Sequence, residues 1–454
     1  MKNQIPWHHL VLITGLVTFS LFLSSCDKDI FDDNPSGEGH SSGGGASRAS
    51  SAVARDWYDL QLQMIIKANP SVNPILLTRA WGYIGIGLYE SVRPGIKNSV
   101  SLSEKLYQMP AMPDKEKNGG YSWEVSANAA LAKLIKAFYP AAVITSNQQR
   151  IDSMEAVYND SLRPGVESAV FLRSQAFGHA IADAVIAWSQ TDNSNLTNTG
   201  YIPPVFEGSW QPTPPALANG LCPYFGNTRP FLQQHLQVLA PPFIHAYSEE
   251  PGSEFYKMEK AMCDVSQSLT DQQKNIALHW NDVGVGVGYS PPGHSVSILT
   301  QILKQKNIDL GKAAIAYAKT GIALTDASIA GFKSKYKYNL LRPVTYIKKV
   351  IDPSWNPLIV TPPHPEYPAA HAFLTQAFMQ TMTGIFGENF SFTDDTYGPK
   401  YGGPRTFSSF SAAAEECGQS RNYGGIHYPP SIAAGLQLGK QIGQGVNDLK
   451  LVRQ

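Results

Sequence analysis

Apolar residues recur at helical spacing along most of this chain, and that period restricts it to helices packed on helices. Val53, Trp57, Leu60 and Met64 form one such stripe, and Asn73-Pro74 is a start signal for a second helix. The period returns near 122–138, 146–160 and 165–189, the last with Phe177, Ile181, Val185 and Trp188 on one face. It resumes at about 253–268, 271–283, 294–304, 310–334, 369–386 and 430–448. Strand signals are sparse. Between about 197 and 245 the period is lost in a run rich in Pro and aromatics, including Tyr201-Ile202-Pro203-Pro204 and Pro212-Thr213-Pro214-Pro215. Such a stretch reads as a long ordered loop crossing the surface. The expected fold is therefore all-α, with two adjoining helical bundles (53–245, including the loop, and 246–454).

The chain has 454 residues, 43% of them hydrophobic, which is enough to bury one large core or two adjoining ones. Lys+Arg and Asp+Glu both number 36, and zero net charge argues against a nucleic-acid partner. The first 25 residues read as a leader, with Lys2 ahead of an apolar run from Leu10 to Leu23 that is short for a membrane span. Leu23-Ser24-Ser25-Cys26 resembles a bacterial lipobox, which implies lipidation of Cys26 and an anchor in a bacterial membrane, the outer one by expectation, facing periplasm or cell surface. Residues 26–52, rich in Asp, Ser and Gly, read as a flexible tether. Cys222, Cys263 and Cys417 remain, so at most one disulfide leaves a free thiol, and no zinc spacing is present.

Three segments of the last quarter carry the chemistry. Lys335-x6-Arg342-Pro343 places a point charge and a planar guanidinium near a helix end, because Pro343 disfavours helix at Arg342. Pro368-Ala369-Ala370-His371 runs from a proline-stiffened loop into a helix whose first N–H groups, Ala370's among them, favour an anion. Ser420-Arg421-x5-His427 adds a third cation and a second histidine, with Gly424-Gly425 allowing close backbone approach. Together they suit a tetrahedral oxyanion, vanadate or phosphate. His364-x-Glu366-x4-His371 is also readable as a metal set, but its prolines prevent a helix and it lacks one-face spacing.

These segments resemble the superfamily of vanadium-dependent haloperoxidases and type 2 phosphatidic acid phosphatases, whose pattern is K-x6-RP, PSGH, SR-x5-H-x3-D. Asp326 to Lys335, Thr361-Pro362-Pro363, Trp280 with Asp282 before Ser290-Pro291-Pro292, and Val53-Ala54-Arg55-Asp56-Trp57 are similar to the haloperoxidase branch. The resemblance implies that Lys335, Arg342, Arg421 and the Ala370 N–H hold vanadate. It further implies that His427 ligates the metal, that His371 is the acid–base group and that Asp282 orients it. Trp280, Phe332 and His364 would line the halide pocket, and the substrates would be hydrogen peroxide and a halide.

Three positions depart from the pattern. Ala369 and Ala370 replace the family Ser and Gly, and Ser431 replaces the Asp that partners the last His. One lost charge-assisted hydrogen bond costs about 1.5–3 kcal/mol, roughly one to two decades of affinity. His364 stands where chloroperoxidases carry Phe and algal bromoperoxidases carry His, and Phe332 replaces a larger Trp. A polar, titratable imidazole there implies oxidation of iodide and bromide over chloride. Two alternatives stay open. One is a phosphatase hydrolysing phosphomonoesters through a phospho-His427 intermediate, weakened by the missing Asp. The other is a surface lipoprotein that keeps a degenerate oxyanion pocket.

Overall fold

The computed structural model describes residues 45–194, 200–283 and 286–453. The leader, Cys26 and most of the 26–52 tether lie outside them. The end of that tether is already part of the packed body: Ala46 is buried, Ser50 bridges to Asp309, and Ser51 Oγ donates to the Ile308 carbonyl at 2.5 Å.

Thirteen α-helices are present among the described residues: α1 (Ala52–Ile66), α2 (Pro74–Val92), α3 (Trp123–Phe138), α4 (Ala141–Leu162), α5 (Ser168–Ser189), α6 (Glu254–Gln267), α7 (Asp271–His279), α8 (Pro291–Gln305), α9 (Leu310–Tyr338), α10 (Pro343–Val350), α11 (Ala370–Phe386), α12 (Phe410–Tyr423) and α13 (Pro429–Asn447). Phe392–Asp394 and Arg405–Phe407 pair as a short antiparallel hairpin. The start signals act as expected of their chemistry. Asn73 accepts the Ile75 N–H with Pro74 at the first helical position, and Asp309 accepts the Lys312 N–H. α7 stops at His279 rather than 283, because Asp282 adopts a left-handed φ of 59° that no helix continues.

α9 is the central rod, buried along nearly its whole length. α2 crosses it so closely that a Cβ on Gly85 would meet the Tyr317 carbonyl at 2.6 Å, and one on Gly321 the Trp81 carbonyl at 2.5 Å. α11 and α13 pack on α9 as well. One hydrophobic core therefore runs through both expected bundles, from Val53 to Leu451. The proline-rich loop does not simply cross the surface, as the sequence suggests. Trp210, Phe225, Phe231 and Leu232 are buried. Asp326 of α9 pins this segment, accepting the N–H groups of Phe231 (2.7 Å) and Leu232 (3.0 Å) and pairing with His235 Nδ1 at 2.7 Å. No helix among the described residues is long and apolar enough to cross a membrane.

Candidate functional site

Lys335 lies in the last turn of α9, which Asn339 ends with a left-handed φ of 48°. The chain then turns, so that Arg342 caps α10 in extended conformation ahead of Pro343. Lys335 Nζ donates to the carbonyls of Pro365 and Glu366, both at 2.9 Å. Arg342 donates from Nε to the His364 carbonyl (2.8 Å), from Nη1 to the Ile426 carbonyl (3.0 Å) and from Nη2 to His364 Nδ1 (2.9 Å). Its Nη1 also stands 3.3 Å from His427 Nε2. Arg421, in the last turn of α12, donates to Ser420 Oγ and the Ala277 carbonyl, and its Nη1 is 3.3 Å from His371 Nε2. All three cations are 0% exposed, whereas His371, the second residue of α11, is 9% exposed and marks the open side.

Burial pulls Lys335 well below its ordinary pKa, and Arg342 adds to the shift while Glu366 opposes it. Burial likewise lowers Arg342 to about 10 and depresses Arg421. His427 is pushed well down by burial, then by Arg342 and Lys335, with His364 and Arg421 contributing. His371 falls through burial and Arg421, with Lys335 among the weaker causes. The five groups thus share one field of excess positive charge, in a place where charge is costly without a counter-ion. The unpaired first-turn N–H groups of α11, including Ala370, add to it. The donor set fits a tetrahedral oxyanion such as vanadate or phosphate.

The sequence reading leaves His427 without a carboxylate, since Ser431 stands in the expected place. Here the structure corrects it. Glu366 Oε1 lies 2.8 Å from His427 Nδ1 and accepts the Tyr428 N–H at 3.0 Å. An oxygen already acting as acceptor requires the proton on Nδ1, so the Nε2 lone pair faces Arg342 and the pocket. The Ser431 hydroxyl lies beside Glu366 and lowers its pKa, without the geometry of a formed hydrogen bond. Burial, opposed by Arg342 and Lys335, raises Glu366 to about 7. Glu366 lies within the proline loop that contains His364, but 61 residues from His427 in sequence. No local spacing rule links them.

Other expected members sit differently. Asp282 Oδ2 is 3.8 Å from His371 Nε2, near but not bonded. Its closer partners are His294 Nδ1 at 2.8 Å and the Tyr397 hydroxyl at 2.5 Å. Trp280, expected beside the halide, instead stacks on His294 with centroids 4.7 Å apart and donates to Glu416 at 3.0 Å. Phe332 and His364 do meet, with ring centroids 5.5 Å apart. The titratable His364 of the sequence reading becomes a buried acceptor for Arg342, held well below its ordinary pKa by burial, Lys335 and Arg342. His364, Glu366 and His371 are committed to separate partners, which disfavours the metal reading of that trio. Cys222, Cys263 and Cys417 are all free.

A family model described as the VCPO second helical-bundle domain matches residues 316–452. The crystal structure described as the first bacterial vanadium-dependent iodoperoxidase is similar at 32% identity with a TM-score of 0.81, over 89% of this chain and 98% of that one. Holo and apo structures of a bacterial vanadium-dependent chloroperoxidase share the fold at 16% and 15% identity, each with a TM-score of 0.62 over 83% of this chain and 91% and 94% of theirs. No curated protein gives a sequence match.

Proposed function

This chain belongs to the vanadium-dependent haloperoxidase family, and on that premise we propose that it oxidises iodide and bromide, in preference to chloride, with hydrogen peroxide. The observation that carries the reading is the convergence of three fully buried cations and two neutral imidazoles, with no cation of the three in a salt bridge among the described residues. Vanadate, when bound, supplies the electrophilic centre at which peroxide is activated for attack by halide.

The chain's own residues supply everything else. Lys335, Arg342 and Arg421 are fixed by carbonyls and hydroxyls, so their charges need no reorganisation as negative charge develops. Glu366 holds the proton on His427 Nδ1 and leaves Nε2 free as the metal ligand. His371 Nε2, on the open side, takes and returns the proton of the entering peroxide. Phe332 walls one side of the pocket against water, while the polar His364 ring beside it leaves that wall less dry than an apolar ring would. Preference for iodide and bromide draws on His364 in place of an apolar ring and on the 32% identity to an iodoperoxidase. The lipobox-like Leu23-Ser24-Ser25-Cys26 supports an anchor in a bacterial, by expectation outer, membrane. Loss of fatty-acid labelling in Cys26→Ala would test it.

A second reading gains from one observation. The Glu366–His427 pair restores the carboxylate that orients a nucleophilic imidazole, so phosphomonoester hydrolysis by the vanadate-free protein is the alternative. Titration with vanadate, followed by peroxide turnover with each halide, separates them. We expect vanadate-dependent turnover of iodide and bromide, with chloride slow. Phosphatase activity without any vanadate-dependent halogenation would overturn the first reading.

A further inference from the structure

Beside His371 and Arg421, four buried ionisable side chains run in a line away from the pocket. Asp282 Oδ2 faces His371 Nε2 at 3.8 Å, and its Oδ1 lies 2.8 Å from His294 Nδ1. His294 Nε2 is 2.7 Å from Asp394 Oδ2, and that same oxygen is 2.8 Å from His279 Nε2. The Thr396 N–H bonds the other oxygen of Asp394 at 3.0 Å, and Trp280 lies stacked on the His294 ring. None of the four is more than 3% exposed.

The geometry dictates the protons. His294 has a carboxylate oxygen at each ring nitrogen, so both nitrogens must carry hydrogen and the ring is an imidazolium. Burial opposes that charge, but Asp282 and Asp394 overcome it and raise His294 to about 10. His279 need give only one proton, from Nε2, since its Nδ1 has no partner among the described residues. The three atoms around Asp394 lie within 4.8 Å of one another, as ligands of a small cation would. Yet both nitrogens touch one carboxylate oxygen at hydrogen-bond distance, and His294 has no lone pair to give. The cluster is filled with protons rather than shaped for an ion.

We propose that His294 and Asp394, backed by His279, are positioning residues for the acid–base step: they hold the Asp282 carboxylate fixed opposite His371, so that the His371 ring stays aimed into the oxyanion pocket. This rests on the reading of His371 as the acid–base group. Asp282 sits at a left-handed turn closed by the Ser290 N–H on its own carbonyl (2.8 Å). Among the described residues, its side chain hydrogen-bonds to Tyr397 and to His294, and these set its angle toward His371. Removing the far carboxylate would free His294 to shed a proton and turn, and Asp282 would follow.

The test is a double-mutant cycle on the full chain, using Asp282→Asn, Asp394→Asn and both together, with kcat and KM for iodide and inorganic phosphate affinity of the vanadate-free protein. We expect each single change to lower kcat by about 10–100-fold with KM and phosphate affinity little changed, and the double variant to lose no more than Asp282→Asn alone. Wild-type kcat in Asp394→Asn, or losses that simply multiply, would overturn the proposal. Wild-type kcat in Asp282→Asn would overturn it together with the role of His371, whereas loss of phosphate affinity in all three would point to a general packing role and equally count against it. Should Asp394→Asn not fold, nitrogen-15 NMR of the wild-type protein at about pH 8, above the ordinary imidazole range, still decides. Two protonated nitrogens on His294 are expected, and a bare nitrogen or a co-purifying metal ion in this cluster would sink the idea.

Discussion

Glu366 Oε1 and His427 Nδ1 stand 2.8 Å apart, joined across 61 residues of sequence, and the same oxygen takes the N–H of Tyr428. A carboxylate from the proline loop thus does for His427 what the family pattern assigns to the position of Ser431 on α13. Replacing it by Glu366→Gln keeps an acceptor but removes the charge. Vanadate affinity should fall by about 10–100-fold, measured by titration without turnover. Adding Ser431→Asp should recover much of the loss, since that residue already lies beside the carboxylate. No recovery would mean that the backbone, not charge, fixes the ring.

Lys335, Arg342 and Arg421 are buried together, so an anion should stabilise the fold as well as occupy the site. Phosphate at a hundred times its dissociation constant should add about 2.7 kcal/mol, seen as a rise in Tm. Lys335→Met should abolish that rise while leaving the phosphate-free protein at least as stable as the parent, because the lone buried ammonium is gone. A phosphate-dependent rise of parental size in this variant would remove Lys335 from the oxyanion site.

Far from the site, Lys319 on α9 is 5% exposed, and among the described residues its Nζ reaches only the Asn447 carbonyl, at 3.4 Å. Burial, with Lys450 adding, lowers its pKa from 10.5 to about 8. Above 10.5 both folded and unfolded chains hold the neutral amine, and below about 8 both hold the ammonium. Only the folded state then carries the desolvation cost, so this group's contribution to stability rises with pH between those values and is unfavourable below them. Lys319→Met should stabilise the protein at pH 7 by roughly 3 kcal/mol, and the increment should vanish by about pH 10.5. Denaturant titrations at the two pH values check this, and equal stability at pH 7 would refute it.

His364 accepts from Arg342 while its ring meets Phe332. His364→Phe would dry that wall and release one guanidinium N–H toward the pocket. Turnover of chloride relative to bromide should rise in this variant, measured with vanadate saturating. An unchanged ratio would take halide preference away from this position.

Much of the site was legible because its chemistry is written locally. Lys335 and Arg342 are seven residues apart across a helix end, and Pro343 announces that end. The segments around His371 and His427 are equally compact. The positions of α11 and α13 follow from the apolar period. What stayed hidden depends on distance in the chain. His294, Asp394 and His279 are unremarkable until folding brings them to Asp282, and Glu366, readable locally only as part of a metal set, gains its role when folding brings it to His427. α10 and α12 were missed because one is short and the other has a weak apolar stripe that places Arg421 at its end. The loop reads as superficial in sequence because nothing local marks polar Asp326 as the peg for Phe231 and Leu232.

That peg has a consequence for how this enzyme can be inherited. Asp326 and Lys335 ride on the same rod, nine residues or about 13.5 Å of helix apart. A recombination event exchanging only residues 246–454 would carry over every group that faces the oxyanion. It would also part Asp326 from Phe231, Leu232 and His235, and bare the face of α9 that lies against Gly85. The segment bearing the motifs is therefore packed as part of the whole chain and not by itself. A protein made by such an exchange is expected to lose stability before it loses any group of the site.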